Sequence, residues 1–162
     1  MDSQARFEHL IAILKERGYR ITPQRVELIR LIAASEGHPS ASQLYEQIAM
    51  QFPTMSLATV YKTLDLLKEL GEVLEIGLRD DNHYDGNKPY PHPHLICTKC
   101  QKITDGELDT AVTSIVHEVE KNFGFHVSKH QLDFYGLCPV CQYKWQVYIF
   151  LHTIDALGQS FN

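Results

Sequence analysis

His92-Pro93-His94-Leu95-Ile96-Cys97-Thr98-Lys99-Cys100 runs two alternate histidines into a Cys-x-x-Cys pair. Side chains alternate faces along a strand, so an extended segment turns His92 and His94 the same way and holds the thiols at its far end. A second pair, Cys138-Pro139-Val140-Cys141, follows after 37 intervening residues, and the two pairs use all four cysteines of the chain. Four thiolates on two such turns suit a tetrahedral, closed and therefore structural zinc site. A disulfide pair, four buried thiols or a four-thiolate iron site are the competing readings, and the iron site leaves the His-x-His unexplained.

Outward from that segment the chain is of ordinary globular make-up: 162 residues, 44% hydrophobic and 22% charged. No apolar run reaches the roughly 18 residues of a membrane span. The first residues lack the charged-then-apolar pattern of a signal peptide, so the cytoplasm is the expected compartment. A net charge of −5, with nine Lys/Arg against thirteen Asp/Glu in residues 1–86, means that any nucleic-acid contact must come from local patches.

Before the metal-ligand segment, apolar periodicity and caps predict four helices. The first spans residues 5–17 through Phe7, Leu10, Ile11 and Leu14, with Gly18 as its stop. Thr22-Pro23 opens the second, carrying Val26, Ile29, Leu31 and Ile32 and ending near Gly37. Ser40 caps the third, with Leu44, Ile48 and Ala49. Ser56 caps the fourth, Leu57 to Leu70, whose apolar face leaves Thr59, Tyr61, Lys62, Thr63 and Asp65 outward. Val73 to Ile76 and His83 to Asp85, about a polar turn at Asp80-Asp81-Asn82, complete a winged helix-turn-helix pattern; a plain helical domain with a solvated face is the alternative.

Lys88-Pro89-Tyr90-Pro91 marks a hinge. Beyond it, strands are expected at His94–Ile96, Lys102–Asp105, Phe125–Val127 and His130–Tyr135, with an amphipathic helix over 111–122 packed on the sheet. The predicted class is α+β: an N-terminal winged helix-turn-helix domain (1–86), a hinge (87–91), a small zinc-stapled α/β domain (92–141) and an apolar C-terminal extension (142–162). A second domain this small has little core, so zinc and self-association are its expected sources of stability.

The order His-x-His-x-x-Cys-x-x-Cys, then Tyr135-Gly136-x-Cys138-x-x-Cys141, with Arg20-Ile21-Thr22-Pro23-Gln24-Arg25 and Ala58-Thr59-Val60-Tyr61 upstream, resembles the ferric uptake regulator family. The resemblance implies a homodimeric, metal-dependent DNA-binding transcriptional regulator, usually a repressor, and no enzyme. It also implies a regulatory metal site of His38, Asp85, His92, His94 and Asp105. Three imidazoles and two carboxylates suit exchangeable iron(II) or manganese(II) rather than a closed zinc site. DNA contacts carried over to this sequence are Arg20, Arg25, Thr59, Tyr61 and Lys62, reaching double-stranded operator DNA.

Asp at position 105 resembles the peroxide-sensing branch, in which iron-catalysed oxidation of a ligand histidine releases the operator; iron sensors carry Glu there. Lys62 departs from both the Asn and the Arg of those branches. An iron- or zinc-responsive repressor of the same family is the nearest alternative, and a metal-dependent hydrolase a remote one. Glu107, Asp109, His117, His126 and His130 read as surface polar residues rather than a third metal site.

Overall fold

The computed structural model describes residues 2–78, 81–107 and 109–144. The chain divides into two compact units between Pro91 and His92.

In the first unit, α1 (Ser3–Glu16), α2 (Pro23–Ala34), α3 (Ala41–Ala49) and α4 (Leu57–Glu69) each start where a short polar side chain accepts a backbone N–H of the first turn. Asp2, Thr22, Ser40 and Ser56 are those caps, and Ser40 forms a reciprocal box with Gln43. The helices close over a core that includes Leu10, Leu14, Leu28, Ile32, Leu44 and Leu64. A full burial of this kind contributes about 1.5–3 kcal/mol per side chain. Strands β1 (Leu74–Ile76) and β2 (His83–Asp85) pair antiparallel as the wing, with Leu74 opposite Asp85. The result is the predicted winged helix-turn-helix.

Three expectations for this unit are corrected. Helix α2 stops at Ala34, because Ser35 turns extended and its hydroxyl donates to the Leu31 carbonyl at 2.7 Å. Its inward face is Leu28, Ile29, Ile32 and Ala33, with Val26 and Leu31 only half-buried. Thr63 is buried rather than outward; its hydroxyl donates to the Thr59 carbonyl at 3.0 Å, which satisfies it inside the helix packing.

The second unit carries a three-stranded sheet in the order β4-β3-β5: β3 (Pro93–Cys97), β4 (Ile103–Asp105) and β5 (Leu132–Gly136). Strand β4 returns antiparallel to β3, whereas β5 comes back parallel to it after α5 (Asp109–Phe123). Residues 124–131 are irregular, so the expected strand at Phe125–Val127 is absent: β3 already has both edges taken, and Gly124 leaves the helix at φ +68°. Nor does α5 bury its apolar face, since Ile115 remains 54% exposed and Phe123 73%. Residues 139–144 are helical. The apolar extension expected from Tyr143 to Leu151 lies, beyond residue 144, outside the described residues.

Candidate metal centres and nucleic-acid interface

The thiols of Cys97, Cys100, Cys138 and Cys141 lie within 4.8 Å of one another. Strand β3 delivers the first pair and β5 the second, in parallel register with Cys97 opposite Gly136, so both Cys-x-x-Cys turns leave the same end of the sheet. The Cys138 amide donates to Cys97 Sγ at 3.3 Å and holds that thiol down at about 6, while burial pushes Cys141 up to about 12. Four converging sulfurs, one already disposed to ionise, match a tetrahedral zinc ligand set.

The histidine and carboxylate residues fall in both units. In the second, antiparallel register sets His94 against Asp105 and parallel register sets it against Asp133, which makes one row of three across a single face of the sheet. His92, two residues earlier, shares that face. Its Nε2 lies 3.4 Å from Asp105 Oδ1, and its ring centroid 4.5 Å from that of His94. His92, His94 and Asp105 each offer a donor atom within 4.8 Å of the others. Both histidines are buried, where a polar ring is costly unless its nitrogens are engaged.

In the first unit, His38 Nε2 stands 3.7 Å from Asp85 Oδ2. The loop carrying His38 is strapped to the wing: Tyr84 N donates to the Pro39 carbonyl at 3.0 Å, and His83 Nδ1 is 2.5 Å from the His38 carbonyl. Asp85 Oδ1 accepts the amides of Asn87 at 2.8 Å and Lys88 at 3.1 Å, leaving Oδ2 directed at His38. Burial alone would raise the Asp85 carboxyl, but His38 and the two amides outweigh it and hold the group below the usual carboxylate range. Gly86 fixes the approach, because a Cβ there would come within 2.2 Å of Ile32 Cγ2.

On α4, Thr59 and Lys62 are exposed, as is Arg20 before α2. Arg25 is half-buried and donates through Nη1 to the Arg20 carbonyl at 2.7 Å, tying the two basic residues together. Tyr61 differs from the outward-pointing expectation: its ring packs against the core, and its hydroxyl donates to Asp81 Oδ1 at 3.1 Å. Thr59 also shares a hydroxyl contact of 3.0 Å with the Ser56 cap.

Sequence reasoning misses Asp133, Asp81 and His83. Each acts through a neighbour distant in sequence, supplied by strand pairing for Asp133 and His83 and by helices α3 and α4 for Asp81, and no local spacing signals it. The alternation in β5 does put Asp133 opposite in face to Phe134, the one hint available.

Residues 16–135 match the model of the ferric uptake regulator family. The chain belongs to this family. The peroxide-responsive repressor PerR of Staphylococcus aureus is 34% identical over 137 residues, covering 85% of this chain and 92% of that protein. The peroxide stress regulator of Campylobacter jejuni superposes with a TM-score of 0.64 at 33% identity, over 82% of this chain and 98% of that one. A zinc uptake regulator solved with zinc and DNA gives 0.67 at 25% identity, over 90% and 99%. These family members are similar to this chain over both units, and their family is one of transcription regulators.

Proposed function

We propose that the protein is a homodimeric, metal-dependent transcriptional repressor that senses peroxide and acts on operator DNA in the cytoplasm, rather than an enzyme. The observation that carries this reading is the separation of two donor sets: four thiols in one cluster, and imidazoles with carboxylates elsewhere. The soft set suits a permanent zinc. The nitrogen and oxygen set suits exchangeable iron(II) or manganese(II). Asp85 and His38 from the first unit, with His92, His94 and Asp105 from the second, are the proposed regulatory ligands. A metal shared by both would favour the arrangement of the dimer in which two α4 helices meet two half-sites.

Iron(II), if held by these residues, would supply one-electron reduction of peroxide. The imidazole rings of His38 and His92 are the proposed targets of the oxidant, and either one, once oxidised, is a poorer donor. The thiols stay out of the reaction because zinc commits all four. Similarity to peroxide-responsive relatives at 33–34% identity supports this choice over an iron- or zinc-responsive repressor. The exposed Thr59, Lys62 and Arg20, with Arg25 and Tyr61 beside them, are the proposed DNA-contacting group. Self-association would cover Leu95, Ile115, Phe123 and Phe134, which a lone chain leaves exposed. Among the described residues no helix is long and apolar enough to cross a membrane.

Iron-loaded and manganese-loaded dimers treated briefly with peroxide provide the test. The iron form should leave its operator and gain one oxygen on a peptide holding His38 or His92; the manganese form should do neither. Release that instead tracks disulfide formation and zinc loss would move the sensor to the thiols.

A further inference from the structure

We infer that Asp133, a residue outside the proposed ligand set, is the positioning residue that fixes the ring of His94 for the regulatory metal. The inference rests on the reading of His92, His94 and Asp105 as metal donors.

The sheet register creates the arrangement. His94 sits on the central strand with Asp105 beside it on β4 and Asp133 beside it on β5, all on one face. The two carboxylates nonetheless do different things. Asp105 Oδ1 is directed to His92 Nε2 at 3.4 Å, whereas Asp133 Oδ1 lies 3.2 Å from His94 Nδ1. Asp133 Oδ2 in turn accepts Gln131 Nε2 at 2.7 Å, so the carboxylate is itself held from behind. Side-chain exposure is 1% for His94 and 15% for Asp133, which keeps water from competing for the contact.

A neutral imidazole carries its proton on one nitrogen only. With a carboxylate at Nδ1, the proton belongs on Nδ1 and the lone pair on Nε2, across the ring. That tautomer is the one in which Nε2 can bind a metal. A carboxylate on the remote nitrogen also makes the imidazole a stronger donor. Asp133 therefore selects the donor atom of His94 and holds its plane, without being a ligand.

Two measurements test this. In the zinc-loaded wild-type dimer without regulatory metal, long-range nitrogen-proton NMR of His94 should show the Nδ1–H tautomer; an Nε2–H ring would overturn the proposal whatever the metal does. Manganese(II) affinity, measured by chelator competition, should fall about 10–100-fold in Asp133→Leu, as loss of an outer-shell partner does. Asp133→Glu should recover part of that loss. Affinity within twofold of wild type in Asp133→Leu, in protein that retains zinc and dimer, would overturn the role. His94→Ala separates the two readings: if it binds manganese as wild type does, the ligand assignment has failed, while the tautomer still reports on Asp133 alone.

Discussion

The two units are held together differently. In the first, the buried side chains are chiefly aliphatic, contributed by all four helices, and buried polar groups such as Arg6 and Thr63 find partners within the unit. Arg6, for example, donates Nε to the Gly86 carbonyl at 2.7 Å and Nη1 to Glu72 Oε2 at 2.7 Å, joining α1 to both ends of the wing. In the second, Ile96 is the only buried aliphatic residue among the described ones; the other buried side chains are Pro93, His92, His94, Cys97 and Cys141. Four of those six buried side chains are of metal-ligand types. A unit with so small an apolar core is expected to draw on metal and a partner surface, while the first has a core of its own.

Loss of zinc should break the comparison most strongly. Cys97→Ser is expected to lose about one zinc per chain and most of the dimer, because binding energy at a structural zinc is folding energy. Elemental analysis and sedimentation measure both, and circular dichroism should still show the helices of the first unit. A variant that keeps zinc and dimer would dissolve the contrast. On the other side, Leu64→Ala in the fully buried core should cost about 2–5 kcal/mol in denaturant unfolding. That loss should leave zinc content unchanged.

Gly86→Ala lies next. The added methyl would meet Ile32 Cγ2 at 2.2 Å, so either α2 or the Asp85 segment has to shift. Overpacking of this kind costs about 1–3 kcal/mol. Manganese affinity should drop along with stability, since Asp85 precedes the displaced residue. If stability falls while affinity holds, the position of Asp85 is not transmitted to the metal.

What could be read in advance follows the same division. The winged helix was legible because its signals are local: Thr22, Ser40 and Ser56 announce their helices within one turn, and the apolar spacing of α4 needs no partner to be seen. The cysteine pairs were legible for the same reason, as spacing alone implies a site. In the second unit the strands at 94–96, 102–105 and 130–135 and the helix between them were legible from alternation and apolar spacing, but their pairing was not, because β3 pairs with a strand more than thirty residues away. The parallel register that sets Asp133 beside His94 has no sequence signature. The apolar residues of α5 read as a face packed on the sheet, yet Val112, Val116 and Val119 are only half-buried and Ile115 and Phe123 are exposed, a distinction that periodicity does not carry. Thr63 was misjudged because a hydroxyl that bonds back into its own helix can be buried at little expense.

DNA-contact substitutions act on the exposed edge of the well-packed unit. Lys62→Ala should weaken operator binding by about 1–3 kcal/mol if its ammonium reaches a base. Arg25→Ala should weaken it evenly across sequences and flatten the salt dependence. Fluorescence anisotropy over a range of salt concentrations distinguishes them. An unaltered affinity in both would remove Lys62 of α4 and Arg25 of α2 from the interface.

The smallest expected effect concerns Asp81, which joins the wing to α3 and α4. Its carboxylate takes the Ser42 amide at 3.1 Å and the Tyr61 hydroxyl at 3.1 Å. Burial by itself would raise this group, but the hydroxyls of Ser40, Ser42 and Tyr61 and the Ser42 amide hold it below its ordinary range. A carboxyl depressed in the folded state binds fewer protons there than in the unfolded chain, so its contribution is complete above about pH 4–5 and is lost as pH falls through the folded value. Asp81→Asn keeps an acceptor for Tyr61, removes the charge and replaces the oxygen that accepts the Ser42 amide. Its deficit should be below about 1 kcal/mol at neutral pH, as for other partly solvated charges, and should shrink toward zero in acid. Urea midpoints of the two proteins from about pH 3 to 7 measure it, and taking their difference cancels the titration of every group they share. A deficit that stays constant with pH would assign the contact to hydrogen-bond geometry rather than charge. In that case the orientation of Tyr61, and through it the outward face of α4, would not depend on the ionisation of Asp81.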